Sequence, residues 1–191
     1  MDEKQRTRGL RRYRWALVPA IILLIGYLLP EQLHIPVEDA QAHDWNHDTF
    51  WYAPWGRSGV HKGIDIFAPA GQSVRAATGG IVIYRGSFGI GGRVVVILGP
   101  RWRVHYYAHL AEFAPDAGIF VGGGDTLGTV GTSGNAAGKA PHLHYSILTL
   151  IPYPWRWDAS PQGWKKMFYL DPSIRLLSIG TRAKAPTGRA G

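Results

Sequence analysis

The sequence predicts an all-β domain built on an antiparallel sheet, and three observations carry that expectation. From about Ser58 the chain breaks into short β-branched runs. Glycine-rich stretches separate those runs at turn-like spacing. Sustained helical periodicity is almost absent from the same region. With 46% hydrophobic and 18% charged residues, the 191-residue chain has the apolar content for a core, which excludes a wholly disordered protein.

The N-terminus precedes that domain and differs from it. Residues 1–14 are a basic segment, and Arg8, Arg11, Arg12 and Arg14 stand before the uncharged run Trp15–Leu29. As a helix this run reaches roughly 22 Å, short of a ~30 Å hydrocarbon core. Tyr13 and Trp15 suit an interface, and snorkelling of Arg14 closes part of the gap. Arginines before the run and Glu31, Glu38 and Asp39 after it predict a cytoplasmic start with the rest exported. Two readings compete. One is a transmembrane signal-anchor helix over 15–30, with the C-terminal domain outside the cytoplasm. The other is a secreted chain cut near Ala42, after Ala40-Gln41-Ala42. That site lies well past Leu29, which favours the anchor.

Residues 31–56 show no period and are expected to be a linker or lid-like arm. His34, His43, Asn46 and His47 lie in it; a solvated linker is the plain reading, and a segment blocking the site below is the alternative. Strands are expected at Val74–Ala77, Gly80–Tyr84, Arg93–Leu98, Arg101–Leu110, Ile119–Val121, Thr126–Val130 and His142–Leu148. Together residues 57–178 form the expected domain. Within it, Ile151–Phe168 is a proline- and tryptophan-rich surface loop that either walls a groove or covers a sheet edge. Residues 179–191 are expected to be a disordered basic tail.

Charge and cysteine content exclude function classes. The net charge of +8 is confined to the two ends of the chain, and the region between them is neutral. That distribution argues against nucleic-acid binding, which needs a basic patch on the folded unit. The stretch before Gly138-Lys139 lacks the glycine and hydroxyl positions of a phosphate loop. With no cysteine, any zinc must be held by His, Asp or Glu.

Four histidines stand where such chemistry needs them. His61-Lys-Gly-Ile-Asp65 offers an imidazole and a carboxylate, with Gly63 permitting a tight turn between them. His142-Leu-His144 puts two imidazoles on one face of a strand and Leu143 on the other. His109 ends the strand that starts near Arg101, and His105 shares its face if the alternation holds. A lone histidine on a strand is commonly structural. The set together is a stronger signal, because two imidazoles and a carboxylate leave zinc an open position and residual positive charge.

The motifs His61–Gly71, Val74–Val82, Tyr107-Ala-His-Leu110, Gly128–Gly134 and Pro141-His-Leu-His-Tyr145 resemble, in order, the lysostaphin/LytM-type zinc metallopeptidases. Those enzymes cleave peptide cross-links in bacterial peptidoglycan. The resemblance implies a fold of duplicated hybrid motif type, sandwich-like, and peptidoglycan peptides as substrate. It further implies one Zn2+ held by His61, Asp65 and His144, with His109 and His142 as catalytic groups. Tyr107, Asn135 and Tyr145 are the candidate substrate-binding residues. Two alternatives stay open: a catalytically silent regulator or wall-binding module on the same fold, and a zinc protease acting on protein substrates.

Overall fold

The structure is a computed structural model that describes residues 3–183. Among the described residues, nine strands join in one network in which every pairing is antiparallel. They are β1 (Ile64–Phe67), β2 (Ser73–Arg75), β3 (Gly80–Ser87), β4 (Arg93–Gly99), β5 (Arg103–Phe113), β6 (Phe120–Val121), β7 (Thr126–Val130), β8 (His142–Thr149) and β9 (Tyr169–Leu170). The spatial order is β1-β8-β5-β4-β3-β6, with β9 beside β8 and β2 beside β7. The all-β antiparallel expectation is met. β1 and β9 are the strands that the sequence reading did not include.

β5 organises the sheet. Its first part, Arg103–Ala108, pairs with β8, and beyond His109 it pairs with β7 instead. The change of partner falls at an irregularity: His109 has φ +68°, and the β4–β5 register slips between Arg93 and Val95. A bulge of this kind re-aims side chains. Here it sends β7 and its partner β2 off the main strand order, and one core cluster joins residues of both parts, including Ile66, Leu127, Val130 and Leu143.

Alternation along β1, β5 and β8 assigns the faces. Ile64, Ile66, Leu143, Tyr145 and Ile147 point into the core, whereas Asp65 and His144 are register partners on the other face. Gly63 lies in the bend before β1 without using a positive φ. It is needed for close approach: a Cβ there would lie 2.3 Å from the Tyr145 carbonyl oxygen.

Three expectations about the flanks are corrected. Residues 31–56 are not a solvated linker. The His34 amide donates to the Ala77 carbonyl (2.7 Å), Val37 bridges to Val74, and Trp45 is buried in the core. The tail expected from 179 begins inside helix α2 (Pro172–Ala183), whose start is capped by Asp171 accepting from the Ser173 amide at 2.8 Å. Residues 184–191 lie outside the described residues. The transmembrane span expected over 15–30 is not supported. Helix α1 runs without interruption from Glu3 to Leu28, through the arginines, and among the described residues no helix is long and apolar enough to cross a membrane. Its apolar run is simply too short.

Candidate active site

The site lies on the outer face of β1, β5 and β8. Register pairing sets Asp65 beside His144, and His142 follows on the same side of β8. His61 arrives from the turn before β1, fixed by two backbone hydrogen bonds with Trp51 and Tyr52 of the arm (2.7 and 3.0 Å). The fourth imidazole, His109, joins only because of the bulge. Strict alternation would have put it in the core with Tyr107; instead its ring lies 5.0 Å from that of His142 and 6.0 Å from that of His144.

Three donor atoms converge. His61 Nε2 is 3.1 Å from both Asp65 Oδ1 and His144 Nδ1, and His144 Nδ1 is 2.8 Å from Asp65 Oδ1. The opposite ring nitrogens decide what these atoms carry. His61 Nδ1 donates to the Thr49 carbonyl (3.1 Å), so its Nε2 presents a lone pair. Ser146 Oγ, 3.0 Å from His144 Nε2, can accept that proton and leave Nδ1 bare as well. Two lone pairs and a carboxylate oxygen facing one another repel unless a cation sits among them. A divalent metal fits this donor set.

Two further imidazoles stand over that point. His109 Nδ1 donates to the Ser133 carbonyl (2.9 Å) and His142 Nδ1 to the Ala140 carbonyl (2.8 Å), leaving each Nε2 free of a proton. The Ser133 loop is itself locked to the Gly86–Gly92 turn: a Cβ on Gly92 (φ +65°) would lie 2.3 Å from the Gly134 amide. His142 Nε2 is 4.0 Å from Asp65 Oδ2.

Electrostatics follow from burial. Burial disfavours the charge on Asp65, yet the hydrogen bonds and charges of His144 and His61 prevail and hold its carboxyl well below the usual carboxylate range. Burial, then the neighbouring His144, lowers His109 to about 4. Burial likewise lowers His144, against the pull of Asp65.

A cavity of about 630 Å³ opens over the cluster, lined among others by Trp55, Lys62, Tyr106, Asn135, Lys139 and Ser146. Asn135 thus remains a candidate for substrate contact. Tyr107 and Tyr145 do not. Both are fully buried on the core face, Tyr107 accepting from the Ala77 amide (2.8 Å) and Tyr145 donating to His105 Nδ1 (2.8 Å). Tyr145 follows His144 directly on a regular strand and has to point away from it. His105, on the same buried face, belongs to that structural set and not to the site.

Four contributors were absent from the sequence reading. Ser146 was legible, two residues beyond His144 on the same face. Tyr106 was hidden by the bulge, which inverts the parity counted back from His109. Thr49 and Trp55, whose ring stacks on His61 at 4.1 Å, belong to the arm and left no signal. His43, Asn46 and His47 do not reach the donors; His47 Nδ1 pairs with Ser173 Oγ at 2.8 Å and Asn46 caps Asp48 at 2.9 Å.

Comparison with known proteins places this site in a family context. Residues 59–152 match the model of peptidase family M23. Over 86 residues the chain is 41% identical to the DD-carboxypeptidase/endopeptidase Mpg of Neisseria meningitidis serogroup B, a match covering 45% of this chain and 19% of that protein. It is 36% identical over 128 residues to the L-Ala–D-Glu endopeptidase of Bacillus subtilis, covering 58% of this chain and 39% of that protein. The chain therefore spans well under half the length of either relative. In fold it is similar to the catalytic domain of lysostaphin from Staphylococcus simulans, with a TM-score of 0.56, 22% identity, and coverage of 73% of this chain and 99% of that one.

Proposed function

We propose, from the match of residues 59–152 to the model of peptidase family M23, that this chain is a zinc-dependent endopeptidase hydrolysing peptide cross-links of bacterial peptidoglycan. The observation that carries the reading is the convergence of His61 Nε2, Asp65 Oδ1 and His144 Nδ1, with two more unprotonated Nε2 atoms directed at the same space. Once bound there, zinc supplies a Lewis acid that lowers the pKa of a coordinated water towards neutrality.

The chain's own groups do the rest. With each Nδ1 proton engaged by a carbonyl, His109 and His142 start as proton acceptors at Nε2. The ring that takes the water's proton becomes an imidazolium, able to hydrogen-bond the developing oxyanion and then pass the proton to the leaving amine. The burial that lowers His109 keeps its ring neutral before the proton arrives.

The same reading puts the chain's work outside the cytoplasm, with the basic start and apolar run as the export signal. Exposed Leu17, Ile21, Leu24 and Leu28 of α1 are then the surface offered to the inner membrane. A reporter active only after export, fused after Gly191, is expected to be active; a silent one would sink this part. The catalytic claim is tested by incubating the purified chain with wall fragments and identifying products by mass. New peptide termini should appear, vanish on chelation and return with zinc. Intact fragments in the presence of the zinc-loaded protein would overturn it.

A further inference from the structure

Beside the catalytic cavity Lys62, a residue of its lining, is linked through a shared carbonyl and an amide to a second lysine, Lys165, which is not among the lining residues. Lys62, half-buried and lining the cavity, donates from Nζ to the carbonyls of Ser58 (3.1 Å) and Val60 (3.4 Å). The Ser58 carbonyl also accepts from Gln162 Nε2 (2.9 Å), and Gln162 Oε1 accepts from Lys165 Nζ (2.9 Å). One carbonyl and one amide thus bridge the two lysines. Gln162 is fixed for this task by its left-handed backbone (φ +54°), and it crosses Gly59, where a Cβ would lie 2.9 Å from its Nε2.

Each lysine retains N–H donors without a hydrogen-bond acceptor, one of three on Lys62 and two of three on Lys165, whose ammonium also lies 5.4 Å from the centroid of the Trp164 ring. Neither has an acidic partner within ion-pair distance among the described residues, whereas the adjacent Lys166 is paired with Asp158 at 2.5 Å. Holding like charges this close is unfavourable, and Lys62 feels Lys165 as a repulsive neighbour. Arg57 and Lys139 add further positive charge to the cavity lining, against Asp65 alone. A ligand carboxylate would satisfy the spare donors and relieve the repulsion.

Resting on the peptidase reading above, we propose that Lys62 and Lys165 form a carboxylate-binding subsite beside the catalytic centre. The preferred substrates are then peptides with a free carboxylate near the scissile bond, rather than uncharged bridges. The aromatic insertion between β8 and β9 supplies Lys165 and Gln162, so this insertion sets substrate choice.

The test uses wall stem peptides of one sequence, with carboxylates free or amidated. Wild type should prefer the free acid about fivefold in kcat/KM, and Lys165→Gln should remove that preference through KM. Lys165→Arg should retain it, Lys165→Glu should reverse it, and Lys166→Gln should leave it alone. Equal rates on both peptides by wild type, or an unchanged preference in Lys165→Gln and Lys165→Glu, overturn the subsite while leaving the peptidase intact. Binding of the two peptides to zinc-loaded His109→Ala, read by calorimetry, follows the same pattern without turnover. If wild type cleaves neither peptide, the peptidase reading fails, and a calorimetric acid preference lost in Lys165→Gln still upholds the subsite.

Discussion

β5 and β8 carry two histidine–carboxylate clusters back to back. On the outer face, His61, Asp65, His109, His142 and His144 surround a point where lone pairs converge. On the core face, Glu31 of the arm receives Arg103, receives Arg175 of α2 at 2.9 Å, and faces His105 Nε2 at 3.3 Å. The residue types are alike and the accounting is opposite. In the core, two guanidinium groups supply the cation that the carboxylate needs, and Glu31, Arg103 and His105 are closed to solvent. In the site the protein supplies no cation and leaves the cavity open. One cluster ties three segments of chain together; the other is built to receive something.

The sharpest way to break this comparison is to remove the two imidazoles to which the proposed mechanism gives no part in holding metal. His109→Ala and His142→Ala should each cut hydrolysis of wall fragments by about 10²–10⁴, roughly 3–5 kcal/mol of barrier. Metal content should stay at wild-type stoichiometry in both, while His61→Ala and His144→Ala lose it. Near-normal turnover in both of the first pair, or normal zinc in both of the second, would mean the assignment of roles is wrong.

The core cluster should respond in stability instead. Glu31→Gln leaves the buried Arg103 guanidinium and the half-buried one of Arg175 uncompensated and should cost about 3 kcal/mol in denaturant unfolding, with zinc stoichiometry unchanged. It should also flatten the response to acid. Burial opposes the charge on Glu31, but His105, Arg103 and Arg175 together hold its folded pKa below its ordinary value. Stability from Glu31 is therefore present above the unfolded carboxylate pKa and lost as pH falls through the folded one. Burial lowers His105, against the pull of Glu31, so this ring too disfavours folding once acid protonates it in the unfolded chain. Tyr145, the other titratable group facing His105, stays protonated because burial raises it. A stability profile equally steep in wild type and Glu31→Gln would refute this account.

The same contrast explains what the sequence revealed and what it hid. The outer cluster was legible because β8 is regular: in His142-Leu-His144, alternation alone puts both rings on one side. Tyr107 was misassigned because a backbone bulge at His109, invisible to residue counting, makes i and i+2 face opposite ways. Tyr145 was misassigned against the alternation itself. The core cluster was not legible, since Glu31 lies 72 positions from Arg103 and 144 from Arg175, and no local pattern encodes such pairings. Helix α2 carried a readable start in Asp171-Pro172-Ser173, where a capping carboxylate precedes a proline suited to the first turn. It was overlooked because its sequence runs into the basic tail.

The smallest expected effect tests whether the outer cluster is tuned as finely as the inner one is closed. Ser146 sits one alternation beyond His144, and its hydroxyl is 3.0 Å from the Nε2 that must carry the proton if Nδ1 is to be a ligand. Ser146→Ala removes only that hydrogen bond, in a strand whose neighbours Tyr145 and Ile147 stay packed in the core. The ring is then free to hold its proton on Nδ1, facing Asp65, where it competes with metal. Zinc affinity should fall about 10–100-fold, the range typical of lost outer-shell partners. With zinc saturating, kcat should change little, because the proton-accepting imidazoles are untouched. Zinc affinity within a factor of two of wild type would show that Ser146 does not set the tautomer of His144, and that Asp65 alone orients the ring.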